Sequence, residues 1–141
     1  MAKKDIKIML VDDDPNMLRL MEFYLQTESY HLTKAINGRK ALALLKEEEF
    51  DLILADMQMP ELDGYTLLKS INNIVQKNMP VIMVTAYGQV EDAELPVKAG
   101  AYDIIQKPFT AFRLRLTVKN ALAYKNILDK YERLRKLKRK K

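Results

Sequence analysis

The sequence predicts an α/β fold in which a doubly wound, five-stranded parallel sheet is followed by an extended C-terminal helix. Short apolar runs rich in β-forming residues alternate five times with longer amphipathic runs, the pattern of successive βα units. The third and fourth short runs are near-continuously hydrophobic, as strands covered on both faces are. At 141 residues, 48% apolar and 30% charged, the chain suits one globular domain with a full core.

The first strand is read from Ile6 to Val11. Asp14-Pro15 then supplies an N-cap and a first-turn proline for a helix of Leu18, Leu20, Met21, Tyr24 and Leu25. A second strand, His31 to Ile36, leads through Asn37-Gly38 into a helix striped by Ala41, Leu42, Leu44 and Leu45. The third strand, Asp51 to Ala55, is followed by a helix opening at Gly64, carrying Leu67, Leu68, Ile71 and Val75 and ended by Asn78 and Pro80. Pro80 to Val84 is the fourth strand. A fourth helix, about Val90 to Lys98, is expected to be short, kinked or split, because Pro96 removes a backbone donor. After a fifth strand, Tyr102 to Ile105, a helix starts near Thr110 and meets no breaker through Lys141. Past Ala123 its apolar positions thin to Tyr124, Ile127, Tyr131 and Leu134, which is coiled-coil spacing. The chain therefore divides into a domain over 1–123 and a basic helical linker or coiled-coil tail over 124–141.

Composition excludes several classes. No apolar run approaches the roughly 20 residues that span a bilayer, and Met1-Ala2-Lys3-Lys4-Asp5-Ile6 has no signal-peptide stretch, so a cytoplasmic protein is expected. Without cysteine there is no disulfide framework and no thiolate site, which leaves oxygen ligands for any metal. The net charge of +5 is concentrated at one end: nine basic residues from Lys125 onward against two acids give +7 there and leave −2 elsewhere. A basic tail is attached to a mildly acidic domain.

The informative charges stand at the ends of strands. Asp12-Asp13 follows the first, Asp56 the third, Thr85 the fourth and Lys107 the fifth, and an open parallel sheet binds its ligands at the carboxyl ends of its strands. Carboxylates gathered there repel one another unless a cation sits among them. Magnesium takes a compact octahedron of oxygens, to which Asp13 and Asp56 can contribute carboxylates while Asp12 orients a bound water. Asp56, ending a central strand, is the candidate nucleophile toward phosphorus. Lys107 then pairs with phosphoryl oxygens and the Thr85 hydroxyl donates to another. Positioning and charge neutralisation dominate such transfers.

Four motifs in order, V-D-D-D at 11–14, D-M-Q-M-P-E-L-D-G at 56–64, V-T-A-Y-G at 84–88 and K-P-F at 107–109, resemble the receiver domain of bacterial two-component response regulators over about residues 5 to 123. The resemblance implies a flavodoxin-like sheet of strand order 2-1-3-4-5 and a phosphoacceptor signalling module, not an enzyme in its own right. It implies that Asp56 takes a phosphoryl group from a sensor histidine kinase. Asp12, Asp13, Asp56 and the backbone carbonyl of Gln58 are the implied Mg2+ ligands, Thr85 the switch hydroxyl and Lys107 the phosphate-sensing cation. A cis Lys107-Pro108 peptide is implied as well. Many receivers carry an aromatic three residues before this lysine, and here that position is Ile104, which has no ring to rotate. The T-A-Y-G loop, the G-A-Y-D-I-I-Q-K-P-F run and the charged final helix look most like receivers at the front of sigma-54-dependent, nitrogen-regulatory-type activators. Those continue into ATPase and DNA-binding output domains, which makes transcription regulation the expected role, with this chain either a receiver plus linker or a whole single-domain regulator. The expected interaction surface, and the face of a homodimer, is the fourth helix, fifth strand and fifth helix, or the C-terminal helix itself.

Blander roles fit other residues. Asp14 and Asp63 are read as caps or turn residues, His31 as a packing or surface residue on an edge strand, and Met57, Met59, Met79 and Met83 as core and loop packing. Two rival functions are weighed. An aspartyl-phosphate hydrolase wants a second acid two residues after its nucleophile, where this chain has Gln58. A nucleic-acid protein would use the basic tail, with affinity that falls steeply with salt.

Overall fold

In a computed structural model that describes residues 5–59, 62–71, 78–86 and 98–139, the β-rich runs form five strands: β1 (Ile6–Val11), β2 (Tyr30–Ala35), β3 (Leu52–Asp56), β4 (Val81–Ala86) and β5 (Asp103–Lys107). They pair in parallel in the order β2-β1-β3-β4-β5, as expected. The helices are α1 (Pro15–Leu25), α2 (Gly38–Glu47), α3 (Gly64–Ile71) and α4 (Ala111–Arg139). The helix expected from Val90 to Lys98 and the expected C-terminal turn of α3 at Val75 fall almost wholly outside the described residues.

Alternation along the central strands explains the double winding. Ile8 and Leu10 of β1, Leu52 and Leu54 of β3 and Ile82 and Val84 of β4 point to one face, where α1 and α4 cover them with Leu18, Met21, Leu114 and Val118. Met9, Val11, Ile53, Ala55 and Met83 point to the other, under Ala41 and Leu45 of α2 and Leu67, Leu68 and Ile71 of α3. Each fully buried side chain of this size contributes roughly 1.5–3 kcal/mol relative to exposure. Met59, Met79 and Met83 are buried in the core, and His31 is exposed on the edge strand.

Strand ends differ from the sequence reading where polar residues continue a ladder that apolarity alone would have stopped. Asp56 belongs to β3, opposite Val84; Thr85 and Lys107 belong to β4 and β5, with Thr85 opposite Gln106 and Ala86 opposite Lys107. Backbone pairing, not side-chain hydropathy, sets these limits. At the opposite edge, Asp51 leaves its strand, and its carboxylate accepts the Lys7 N–H at 2.8 Å. Asn78 has a left-handed backbone (φ 63°), a conformation asparagine tolerates.

The helix caps follow the sequence. Asp14 accepts the Asn16 N–H at 2.9 Å, Asn37 the Lys40 N–H at 2.8 Å and Asp63 the Thr66 N–H at 2.7 Å. The last buried residue of α4 is Leu122, yet the domain holds the helix further. Lys125 reaches Asp51 at 3.7 Å and Asp129 at 2.8 Å, and the Asn78 side chain donates to Asp129 at 3.0 Å. Beyond that, Tyr131, Leu134 and Leu137 are exposed. No helix among the described residues is long and apolar enough to cross a membrane.

Candidate functional site

Because all five strands are parallel, their carboxyl ends share one edge, and five chemistry-bearing residues meet there. Asp12 follows β1 directly; its N–H donates to the Ala35 carbonyl at 3.2 Å, which fixes the backbone where the strand ends. Its carboxylate accepts the Asp14 N–H at 2.9 Å and lies 3.1 Å from the Lys107 ammonium, 95 residues away in sequence. Asp56 accepts the Gln58 N–H at 3.3 Å and stands 3.6 Å from Lys107. Lys107 therefore bridges both carboxylates. Its peptide bond to Pro108 is cis.

Asp12 is 1% exposed and Asp56 6%, while Asp13 reaches solvent. One carboxylate oxygen from each of Asp12, Asp13 and Asp56 lies within 4.8 Å of the others. Asp14 is not in this group, as its capping role predicts. Thr85, 2% exposed, is the next-to-last residue of β4, and its hydroxyl donates to the Ala86 carbonyl at 3.4 Å. That bond is long and easily exchanged. Among the described residues no buried side-chain polar atom lacks a hydrogen-bond partner.

The charges nonetheless do not balance. Among the described residues three carboxylates face a single ammonium, and burial pushes the Asp12 carboxyl above its ordinary range despite the Asp14 N–H and Lys107. Asp56 is raised too, first by burial and then by the neighbouring Asp12 charge, against the pull of Lys107. A divalent cation would supply the missing positive charge. The donor set is all oxygen and hard, part buried and part open to water, which fits Mg2+ better than a softer metal.

Two features of the site escape sequence reading. Gly64 lies so close to the Asp56 carbonyl and the Met83 methyl that a Cβ there would overlap both, so glycine is what lets α3 start beside β3. The D-G dipeptide was the available signal, and it suggested a turn. Ile104 packs against the α2/α3 core, whereas Tyr102 packs on the opposite core and meets the Tyr124 ring at 5.4 Å. Tyr102 is thus on the wrong side of the sheet to replace the missing aromatic.

The model of the response regulator receiver domain matches residues 8–119. The chain belongs to that family. It is 37% identical over 129 residues to the transcriptional regulatory protein ZraR of Escherichia coli O157:H7, covering 92% of this chain and 29% of the relative. The regulatory protein AtoC of Escherichia coli K12 is 37% identical over 116 residues, covering 82% of this chain and 25% of that protein. This chain thus spans less than a third of the length of these relatives. Among solved structures, a receiver domain protein from Clostridium thermocellum superposes with a TM-score of 0.81 at 31% identity, covering 87% of this chain and 98% of that one. NtrX from Brucella abortus gives 0.86 at 30% identity over 93% of this chain and 30% of its own. The expected likeness to nitrogen-regulatory-type receivers stands on these relatives. Receivers are phosphoacceptor modules of two-component signalling, paired with histidine kinases, and they bind Mg2+ through acidic residues of the kind gathered here.

Proposed function

We propose that Asp56 is the phosphoacceptor of this receiver. An Asp56 carboxylate oxygen attacks the phosphorus of a phosphohistidine on the sensor kinase, the P–N bond breaks, and the leaving imidazole nitrogen keeps the electron pair and is protonated. An acyl phosphate remains on Asp56. Lys107, already 3.6 Å from that carboxylate, neutralises the incoming phosphoryl oxygens as a point charge. The Thr85 hydroxyl exchanges its long bond to Ala86 for a phosphoryl oxygen, which is the conformational switch. Asp12, Asp13, Asp56 and the backbone carbonyl of Gln58 hold the Mg2+, with Asp12 held in place by the Asp14 N–H. When bound, the metal screens the repulsion between carboxylate and phosphoryl group.

The observation that carries the reading is the pair of buried, under-compensated carboxylates with one lysine between them. Incubation with Mg2+ and acetyl phosphate, followed by intact mass measurement, should add one phosphoryl mass to the wild type and none to Asp56→Asn. Absence of the adduct on the wild type, with beryllofluoride giving no spectral change either, would overturn it.

Transcription regulation in the cytoplasm is the proposed setting, with ATPase and DNA-binding output domains as the downstream partners. The exposed apolar positions Tyr124, Ile127, Tyr131 and Leu134 of α4 support a homodimer through the C-terminal helix, alongside the face of the expected fourth helix, β5 and α4. A sedimentation coefficient of a monomer with and without beryllofluoride would count against any dimer.

A further inference from the structure

We infer that Gly38, the first residue of α2, is a positioning residue for the phosphoryl site: it braces the segment between β3 and α3 that carries Gln58. The inference rests on the Asp56 acceptor reading above. Glycine weakens a helix unless something requires it. The usual requirement, a positive φ, is absent, since among the described glycines only Gly100 has one (φ 107°). Gly38 has a neighbour instead. A Cβ at this position would come 2.8 Å from Leu62 Cδ2 and 2.9 Å from the Leu62 carbonyl oxygen. The first atom can rotate away, but the second is backbone and moves only with its segment.

That segment has little room to yield. Its ends close on each other, with the Gly64 N–H donating to the Met57 carbonyl at 3.0 Å, and Gly64 sits against the Asp56 carbonyl with no space for a side chain. Met59 is buried, Leu62 rests on the α2/α3 core, and Asp63 caps α3. α2 is equally firm, capped by Asn37 and anchored through Ala41 and Leu45. Pressure at Leu62 is therefore passed to the described residues between the pinned ends, Gln58, Met59 and Asp63. Gln58 is among them, its N–H on the Asp56 carboxylate and its carbonyl assigned above to the metal. The second strand-to-helix corner, which supplies no group to the chemistry, thus sets the geometry of the metal site by steric contact.

The test is a Mg2+ titration of phosphorylation by acetyl phosphate, comparing wild type with Gly38→Ala. The Mg2+ concentration for half-maximal rate should rise about tenfold, as it does when groups supporting metal ligands are displaced, while the rate at saturating Mg2+ changes less. Amide 15N–1H shifts recorded without Mg2+ or phosphodonor should move at Met57, Gln58 and Met59 and stay in place along α1. A folded Gly38→Ala protein with unmoved amides at these positions and unchanged half-saturation would overturn the brace. Should Gly38→Ala not fold, Gly38→Ala combined with Leu62→Ala removes the side-chain part of the overlap and keeps the Cβ against the carbonyl oxygen at position 62; a raised half-saturation supports the brace and an unchanged one rejects it. If the wild type accepts no phosphoryl group, the acceptor reading fails, and the amide shifts still decide whether Gly38 holds the segment.

Discussion

The two edges of the sheet each carry a cluster of carboxylates around one lysine, and the clusters behave differently. At the amino edge, Lys125 joins Asp51 and Asp129, whose side chains are 17% and 36% exposed, and Asp51 and Asp129 gain further bonds from the Lys7 N–H and the Asn78 amide. At the carboxyl edge, Lys107 joins Asp12 and Asp56, whose side chains are 1% and 8% exposed, with Asp13 beside them. Water and hydrogen bonds compensate the first cluster. In the second, desolvation outweighs what one ammonium returns, so Asp12 and Asp56 are pushed up in pKa and favour a cation. The same residue types make a structural clamp where hydrogen bonds and solvent compensate the carboxylates, and an under-compensated cluster where Asp12 and Asp56 are desolvated.

The largest separation between the edges should come from Lys107→Met. Removing this ammonium from the cluster should destabilise the metal-free protein at neutral pH by about 2–3 kcal/mol, less than for a fully buried pair because Asp12 and Asp56 can take up protons. Millimolar Mg2+ should recover much of the loss, as thermal unfolding with and without the metal would measure. A loss that Mg2+ leaves untouched would mean that Lys107 and the cation do not share a role.

Asp56→Asn should act in the opposite direction. It removes one of the repelling carboxylates, so the metal-free variant should be more stable than wild type by about 1 kcal/mol and should gain less stability from added Mg2+. A metal-free melting temperature below wild type would contradict the electrostatic account.

The pH dependence follows with the same sign. Burial holds the Asp12 and Asp56 carboxyls above the ordinary aspartate value of 3.8, so the metal-free fold binds their protons more tightly than the unfolded chain does. Their contribution to stability is full below about pH 3.8 and is lost as pH rises through the raised values. Urea midpoints from about pH 4 to about pH 8, compared between wild type and the Asp12→Asn/Asp56→Asn pair, should show the wild type losing ground as pH increases. Saturating Mg2+ should flatten that difference.

Lys125→Met should have the smallest effect. The amino-edge cluster is partly exposed, so its loss should cost under about 1 kcal/mol and should not depend on Mg2+. Its mark should be local: faster amide exchange in α4 from Tyr124 to Asp129, where the ion pairs hold the helix past its last buried residue. Faster exchange confined to α1 instead would show that the clamp has been misassigned.

Much of this was legible in the chain. The five strands, the caps at Asp14 and Asp63 and the placement of Asp12, Asp56, Thr85 and Lys107 at strand ends came from local pattern, because side-chain period and capping chemistry act over a few residues. Strand limits were less legible. Asp56, Thr85 and Lys107 were placed after their strands and lie within them, since ladder bonds are made with another strand whose register the local sequence does not contain.

By itself, then, the sequence determined which groups are available and in what order: three carboxylates, a hydroxyl and an ammonium, each timed to the end of a strand. Tertiary structure decided what those groups experience. The Asp12–Lys107 pair closes over 95 residues, Gly38 meets Leu62 across two elements, and Asp12 is desolvated while Asp13, its neighbour in the chain, is not. Burial and charge act through space, and only the packed sheet sets the distances on which both depend.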